Sequence, residues 1–404
     1  MDVGPIKTEY SRRMPVKKRY GVAVTIAALV VALGVGLLLS ESLLRLFYPQ
    51  TLGVWAQTRD GLILLRPTLQ VFHEGFGTHV QTNSFGFRDR EHELGKPAGT
   101  LRVLLLGDSF MEALQVDFQD AFPALLEGEL QSLLGCRVEV ISAGVSGWGT
   151  DDEVTYLKRK GAEFHPDVVL FAATLHNDIS DNLEGRYHKV DQGELIEKPI
   201  SELPWYTYSG LEMRSYLASH SHLYQIVYQS WKSLGRSDAG ARLTSHVVEL
   251  MRHTQSDQVK RGWWVTEKLL EEAKSLAKAD GFKLAMFIIP TVYEVDERSY
   301  LDLIATYRLN GSDLNRDKPV ETLAAILGRE GIEVINLLPA FRTRSNDSGQ
   351  QLYIQGDGHF NKEGHQLAAA VVSRDLVKTI NEWESFDRCR STQAGMPHDS
   401  VRAE

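Results

Sequence analysis

Cysteine is almost missing from this chain: its 404 residues contain two, Cys136 and Cys389. That excludes a disulfide scaffold, and their separation matches no CxxC metal motif. A single bridge between them stays open, as the less expected outcome given the polar tail around Cys389. Positive charge is also in short supply. Lys and Arg number 44 against 53 Asp and Glu, a net charge of −9, so no overall basic field is present to attract nucleic acid. Internal repeats and low-complexity blocks are absent, and the 43% hydrophobic content is that of a globular chain.

Charge of either sign is missing from Gly21 to Ser40, GVAVTIAALVVALGVGLLLS. At about 1.5 Å per residue such a helix spans roughly the 30 Å hydrocarbon core of a bilayer. Lys7, Arg12, Arg13, Lys17, Lys18 and Arg19 precede it, and Glu41 and Arg45 follow. The positive-inside rule then puts residues 1–20 in the cytoplasm as a basic tail and the chain after residue 40 outside. An uncleaved anchor is expected over a cleaved signal peptide, because the apolar run exceeds the usual h-region and lacks a clean A-x-A site. ESLLRLFYPQ, residues 41–50, reads as a short amphipathic helix along the membrane surface, ended by Pro49.

Residues 41–99 form a lead-in, with TNSFGFRD at 82–89 read as an ordered loop packed on the domain that follows. Apolar runs at 101–106, 137–142, 167–174, 282–289 and 332–336 then alternate with helical patterns at about 120–134, 151–161, 262–280, 318–330 and 361–383. Continuous apolar strands separated by helices mean a parallel sheet covered on both faces. The expected class is a three-layer α/β/α sandwich on a five-stranded parallel sheet, over about residues 100–384. One connection, between Ile179 and Gly281, is far longer than a crossover needs. Residues 185–262 within it, including LPWYTYS, YLASHSHLYQIVYQSW and a helical run at 241–260, are read as a helical insertion covering the strand ends. Its aromatics serve equally well as core. Residues 385–404 carry no periodicity and are expected to be disordered.

Chemistry-bearing residues collect where strands end. LRVLLLGDSF, residues 101–110, places Ser109 at the end of the first strand. Gly-Asp-Ser is an ordinary turn and helix cap, but strand ends of α/β sheets are also where nucleophiles sit. After the second strand comes SAGVSGWGTDD (142–152), whose Gly144, Gly147 and Gly149 allow close backbone approach or form a plain βα loop. After the third comes LHNDISDN (175–182), where Asn177 offers a side-chain amide or a helix cap. After the fifth comes DGHFNKEGH (357–365), with Asp357, His359 and His365. Two histidines and a carboxylate raise zinc, but the pattern matches neither HExxH nor a cysteine-based site. Singly these signals are weak. Together they supply a nucleophile, amide donors, a base and its orienter, the parts of acyl transfer.

In these four blocks, GDSF at 107–110, SAGVSGWGT at 142–150, HND at 176–178 and DGHFNKEGH at 357–365, the chain resembles the SGNH hydrolases, or GDSL-type esterases. TNSFGFRD and DAFPALLEGEL (120–130) are similar to segments of bacterial, membrane-anchored members. The resemblance covers about residues 80–180 and 280–380. It implies that Ser109 is the nucleophile and that His359 takes its proton, with Asp357 holding the imidazole. It also implies an oxyanion hole made by the Ser109 amide, Gly147 and the Asn177 side chain. A neutral imidazole, titrating near pH 6.5, suits such a base. The acid and histidine are spaced DxH here where the family commonly has DxxH. That leaves open whether Asp357 meets the ring or a backbone carbonyl replaces it. Asp108 and Asp178 read as structural, fixing their loops through backbone amides.

The expected function is a serine esterase acting on an acyl ester, such as an O-acetyl group on a polysaccharide or glycoconjugate. It would be a single-pass protein of the bacterial inner membrane with a periplasmic catalytic domain and no metal or organic cofactor. The alternatives are an O-acyltransferase using the same residues and a non-catalytic polysaccharide-binding or assembly factor on the same scaffold.

Overall fold

The computed structural model describes residues 16–383 apart from 51, 59–60, 74, 200–212, 215 and 235–238. The expectations for most of the basic tail, for LPWYTYS and for the 385–404 tail lie outside these residues.

The described chain forms two compact units. The first joins the N-terminal segment, up to Gly53, to Tyr216–Gly235. Its helix α1 (Val16–Phe47) contains one stretch, Val24–Phe47, long and apolar enough to cross a membrane, with mean hydropathy 2.2. No residue between Ser40 and Phe47 breaks a helix, and an i,i+4 pair, Arg45 Nε to Glu41 at 2.8 Å, spans the junction. The separate surface helix expected at 41–50 is therefore the end of α1. Glu41 also accepts the amides of His222 and Leu223, each at 3.0 Å, at the start of α6 (His222–Leu234). Part of the long insertion thus belongs to the unit of the N-terminal helix.

The second unit carries the sheet. Two antiparallel hairpins, β1 (Trp55–Gln57) with β2 (Ile63–Leu65) and β3 (Gln70–His73) with β4 (Thr78–Gln81), precede it. Its strands are β5 (Thr100–Gly107), β6 (Arg137–Gly144), β7 (Val168–Thr174), β10 (Lys283–Ile289) and β11 (Glu333–Asn336). They are all parallel, in the order β11-β10-β7-β5-β6. A third hairpin, β8 (His188–Asp191) with β9 (Glu194–Glu197), follows β7. Every residue of β5 and β7 is buried, which is why both read as largely apolar runs, with Arg102 in β5 their one charged residue.

The helices alternate with the strands: α2 (Ser109–Glu112), α3 (Phe122–Leu134), α4 (Thr150–Arg159), α5 (Asp178–Glu184), α7 (Ala239–Met251), α8 (Asp257–Asp280), α9 (Val292–Val295), α10 (Glu297–Tyr307), α11 (Lys318–Glu330), α12 (Leu338–Ser348) and α13 (Lys362–Glu382). The helix read at 241–260 is broken, because Ser256 accepts the Val259 amide at 3.3 Å and caps α8. Cys136 is disulfide-bonded; the sequence's other cysteine, Cys389, lies outside the described residues.

In a doubly wound sheet of this order, direction reverses between the first and third sequential strands, and ligands bind beyond the carboxyl ends there. Here that crevice lies between β5 and β7, and the segments that follow them carry Ser109 and Asn177.

Candidate active site

β5 ends at Gly107, Asp108 caps α2 by accepting the Phe110 amide at 2.9 Å, and Ser109 opens the helix. This single turn presses on the end of β6. A Cβ on Gly144 would lie 2.5 Å from the Glu112 nitrogen, so glycine there is a matter of contact. The lead-in braces the turn from outside. Arg88 of TNSFGFRD donates to the carbonyls of Ala113 and Val116, the latter at 2.7 Å, while Asn83 Oδ1 accepts the amides of Phe85 and Phe87.

His359 reaches Ser109 from 250 residues away: its Nε2 is 2.7 Å from Oγ. Asp357 Oδ1 lies 2.5 Å from His359 Nδ1 and also accepts the His359 amide at 3.2 Å. With Nδ1–H donated to Asp357, Nε2 is left to accept the Ser109 proton. The short DxH spacing works because Gly356 and Gly358 adopt φ of +77° and +88°, curling the turn so that Asp357 faces the ring two residues on. Phe360 anchors the loop, buried edge-on to Phe110 at 4.8 Å and against Phe341 at 5.0 Å.

His365, six residues on in the same motif, goes elsewhere. It is 1% exposed, faces the Phe122 amide at 3.3 Å, and burial pushes its imidazole down to about 3. The Asp357–His359–His365 trio is not assembled. The metal-capable trio His188, Glu197 and Glu272 is occupied by hydrogen bonds: Lys158 Nζ bridges Glu197 and Glu272 at 2.7 and 2.8 Å, and His188 sits between Asp151 and Glu272.

Asn177 caps α5, and its Nδ2 donates to Asp181 at 2.7 Å, leaving the second N–H of the amide for another acceptor. Burial raises the Asp181 carboxyl against the pull of this bond. Gly147 lies in a turn at φ +79°, closed by the Trp148 amide on Val145 at 3.0 Å. Glu112, three residues after Ser109, accepts the Ser146 amide and fastens that turn to α2. The structure therefore joins Ser109, His359 and Asp357 by hydrogen bonds and places Gly147 and Asn177 beyond the same sheet end.

Sequence reasoning missed Asp181, Glu112 and Arg88. The i,i+4 spacing of Asn177 and Asp181 was the available signal for the first; nothing local marked the other two. His176 also borders the site: a Cβ on Gly358 would lie 3.6 Å from its Cε1, and burial, then His359, lowers its imidazole.

Beneath the site lie three buried acids, Asp108, Glu153 and Asp178. Asp108 is raised to about 6 by burial, against the pull of the Phe110 amide and His359; Glu153 is raised well above the usual range by burial and then by Asp108 and Asp152, and Asp178 by burial and then by Glu153 and Asp108. Asp178 accepts the Thr174 amide at 2.8 Å. Asp108 and Asp178 thus each hold a backbone amide of their own loop.

No known family model matches the chain, and no curated protein does. Among solved structures the chain is similar to an acetyl xylan esterase, at 12% identity over 69% of this chain and 99% of that one, TM-score 0.39. It is similar as well to a member of the lipolytic protein G-D-S-L family from Veillonella parvula DSM 2008, at 13% identity over 69% and 99%, TM-score 0.36. A third is an acetylxylan esterase from Geobacillus stearothermophilus, at 14% identity over 68% and 94%, TM-score 0.38.

Proposed function

We propose that this chain is a serine esterase of the SGNH type that hydrolyses an acyl ester, an O-acetyl group on a glycan, outside the cytoplasm and on a membrane anchor. The observation that carries the reading is the chain of contacts from Ser109 Oγ to His359 Nε2 at 2.7 Å and from Nδ1 to Asp357 at 2.5 Å. Ser109 Oγ attacks the carbonyl carbon as its proton passes to Nε2. Asp357 accepts Nδ1–H and stabilises the imidazolium. The carbonyl oxygen, now an oxyanion, takes donors from the Ser109 and Gly147 amides and the free N–H of Asn177. His359 returns the proton to the leaving alkoxide, then activates water to release the acyl group and restore Ser109.

The anchor rests on the apolar Val24–Phe47 stretch and the basic residues ahead of it. The disulfide at Cys136 supports an oxidising compartment.

Turnover of p-nitrophenyl acetate by the full chain, purified in detergent, tests the chemistry. Ser109→Ala is expected to lower kcat by about 10⁴ or more. Equal rates for variant and wild type would refute the esterase reading.

A further inference from the structure

We propose that the cleft between α10 and the loop at 349–358 is the subsite for the alcohol half of the ester, and that its ligand is a polyhydroxylated, sugar-like chain. The inference rests on the serine esterase reading and adds where the leaving group sits and what recognises it.

Acyl transfer itself assigns the side. The leaving oxygen must receive its proton from His359 Nε2, so the alcohol lies on the histidine's side of Ser109. The carbonyl oxygen points the other way, toward Gly147 and Asn177. A cleft of about 760 Å³ opens on the histidine's side, with Asp357, Gly358 and His176 in its wall. Only the His359 ring, with contacts of 2.7 and 2.5 Å at its two nitrogens, separates Ser109 Oγ from Asp357 in that wall. Ligand sites typically hold about 300–1,000 Å³, so this one has room for more than a single small alcohol.

The lining chooses the ligand. From the loop come Gln351 and Gln355, both exposed; from α10 come Arg298 and Asp302, also exposed. Amides both donate and accept, as hydroxyl groups do, and a guanidinium with a carboxylate provides both roles at fixed charge. The tyrosines Tyr293 and Tyr307 add ring faces for the C–H surface of a sugar and hydroxyls for its rim. Tyr307 is 44% exposed, an open face rather than a core residue. A hydrocarbon alcohol would desolvate these polar groups and return no hydrogen bonds to them.

The test compares two acetyl esters with the full-length chain: cellobiose octaacetate, whose alcohol is a disaccharide, and p-nitrophenyl acetate, whose alcohol is a small phenol. The quantity read is the ratio of kcat/KM for the first to the second. In Tyr307→Ala and in Gln351→Ala this ratio is expected to fall roughly tenfold, the scale of one lost hydrogen bond or ring contact. Because both side chains are exposed, the folded domain survives either change, and the second ester reports any general loss of activity. An unchanged ratio in both variants overturns the proposal. So does a wild type that cleaves p-nitrophenyl acetate but not the disaccharide ester, a result that leaves the esterase reading standing. Loss of the esterase reading has its own signature, equal rates for wild type and Ser109→Ala.

Discussion

At the amino end of the sheet Arg102, wholly buried, donates to Glu139 from Nε at 2.8 Å and to the Phe164 carbonyl at 2.6 Å. His92 lies between two carboxylates, Nδ1 on Glu139 at 2.8 Å and Nε2 on Asp89 at 2.9 Å. At the carboxyl end Asp108, Glu153 and Asp178 are equally buried, yet both carboxyl oxygens of Glu153 have no hydrogen-bond partner. The difference is visible in where the protons sit. Burial would raise Glu139, but bonds from His92 and Arg102 outweigh it and bring the carboxyl to about 2. Burial would lower His92, but Asp89 and Glu139 hold it above its ordinary value. At the other end burial wins: neighbouring acids push Glu153 and Asp178 further up, and the pull of His359 on Asp108 is too weak to offset burial, so all three shift upward. A buried ion stays charged only where an opposite charge and hydrogen bonds replace its water; otherwise it gives up the charge. The matched end is a clasp between the lead-in and the sheet, and the unmatched end lies under the residues of the proposed chemistry.

The most damaging way to break this contrast is Arg102→Ala. It strands Glu139 without its guanidinium, and a loss of about 3–5 kcal/mol is expected in urea unfolding. Less severe is the effect of pH on stability. Glu139 and Glu272, both near 2 in the folded protein, contribute stability above their unfolded values near 4.5, and that contribution fades as pH falls through this range toward 2. Asp152 and Glu294 are raised to about 7, chiefly by burial, so the stability tied to their neutral forms is complete below about 4 and fades as pH rises toward 7. Thermal unfolding is therefore expected to peak at mildly acidic pH, and Glu294→Gln to flatten the alkaline side. A wild-type maximum above pH 8 would contradict the assignment of protons.

Asp181→Ala frees the Asn177 amide to rotate. Complete loss of one oxyanion donor costs about 10²–10³ in kcat, and misorienting it a smaller share, roughly tenfold, with KM little changed. Smallest of all should be Glu153→Gln, which puts an uncharged amide in place of an acid that burial already shifts toward its uncharged form, and which is expected to cost less than about 1 kcal/mol. If it proved as costly as Arg102→Ala, the two ends would not differ as described.

Much of this molecule could be read before its fold was known. The five strands were legible to within a residue or two, because a strand buried on both faces is a continuous apolar run with turn residues after it. What escaped was set by distant partners. Arg88 is one of several arginines in the sequence; its work on the Ala113 and Val116 carbonyls appears only when the lead-in folds over α2. The break at Ser256 was hidden inside a run that keeps helical periodicity across it, and α6 carries nothing in its own residues to say that Glu41 caps it.

From its residues alone the chain determined an α/β sheet of five strands, an apolar helix near its start and a set of reactive residues placed where strands end. Those properties follow from local periodicity and turn chemistry, which neighbouring residues decide among themselves. Only the tertiary structure sent His365 into the core against the Phe122 amide, brought Asp357 round to the ring despite the short spacing, and divided the long insertion between two units. Each of those outcomes depends on contacts between residues far apart in the chain, and no local pattern encodes where such partners meet.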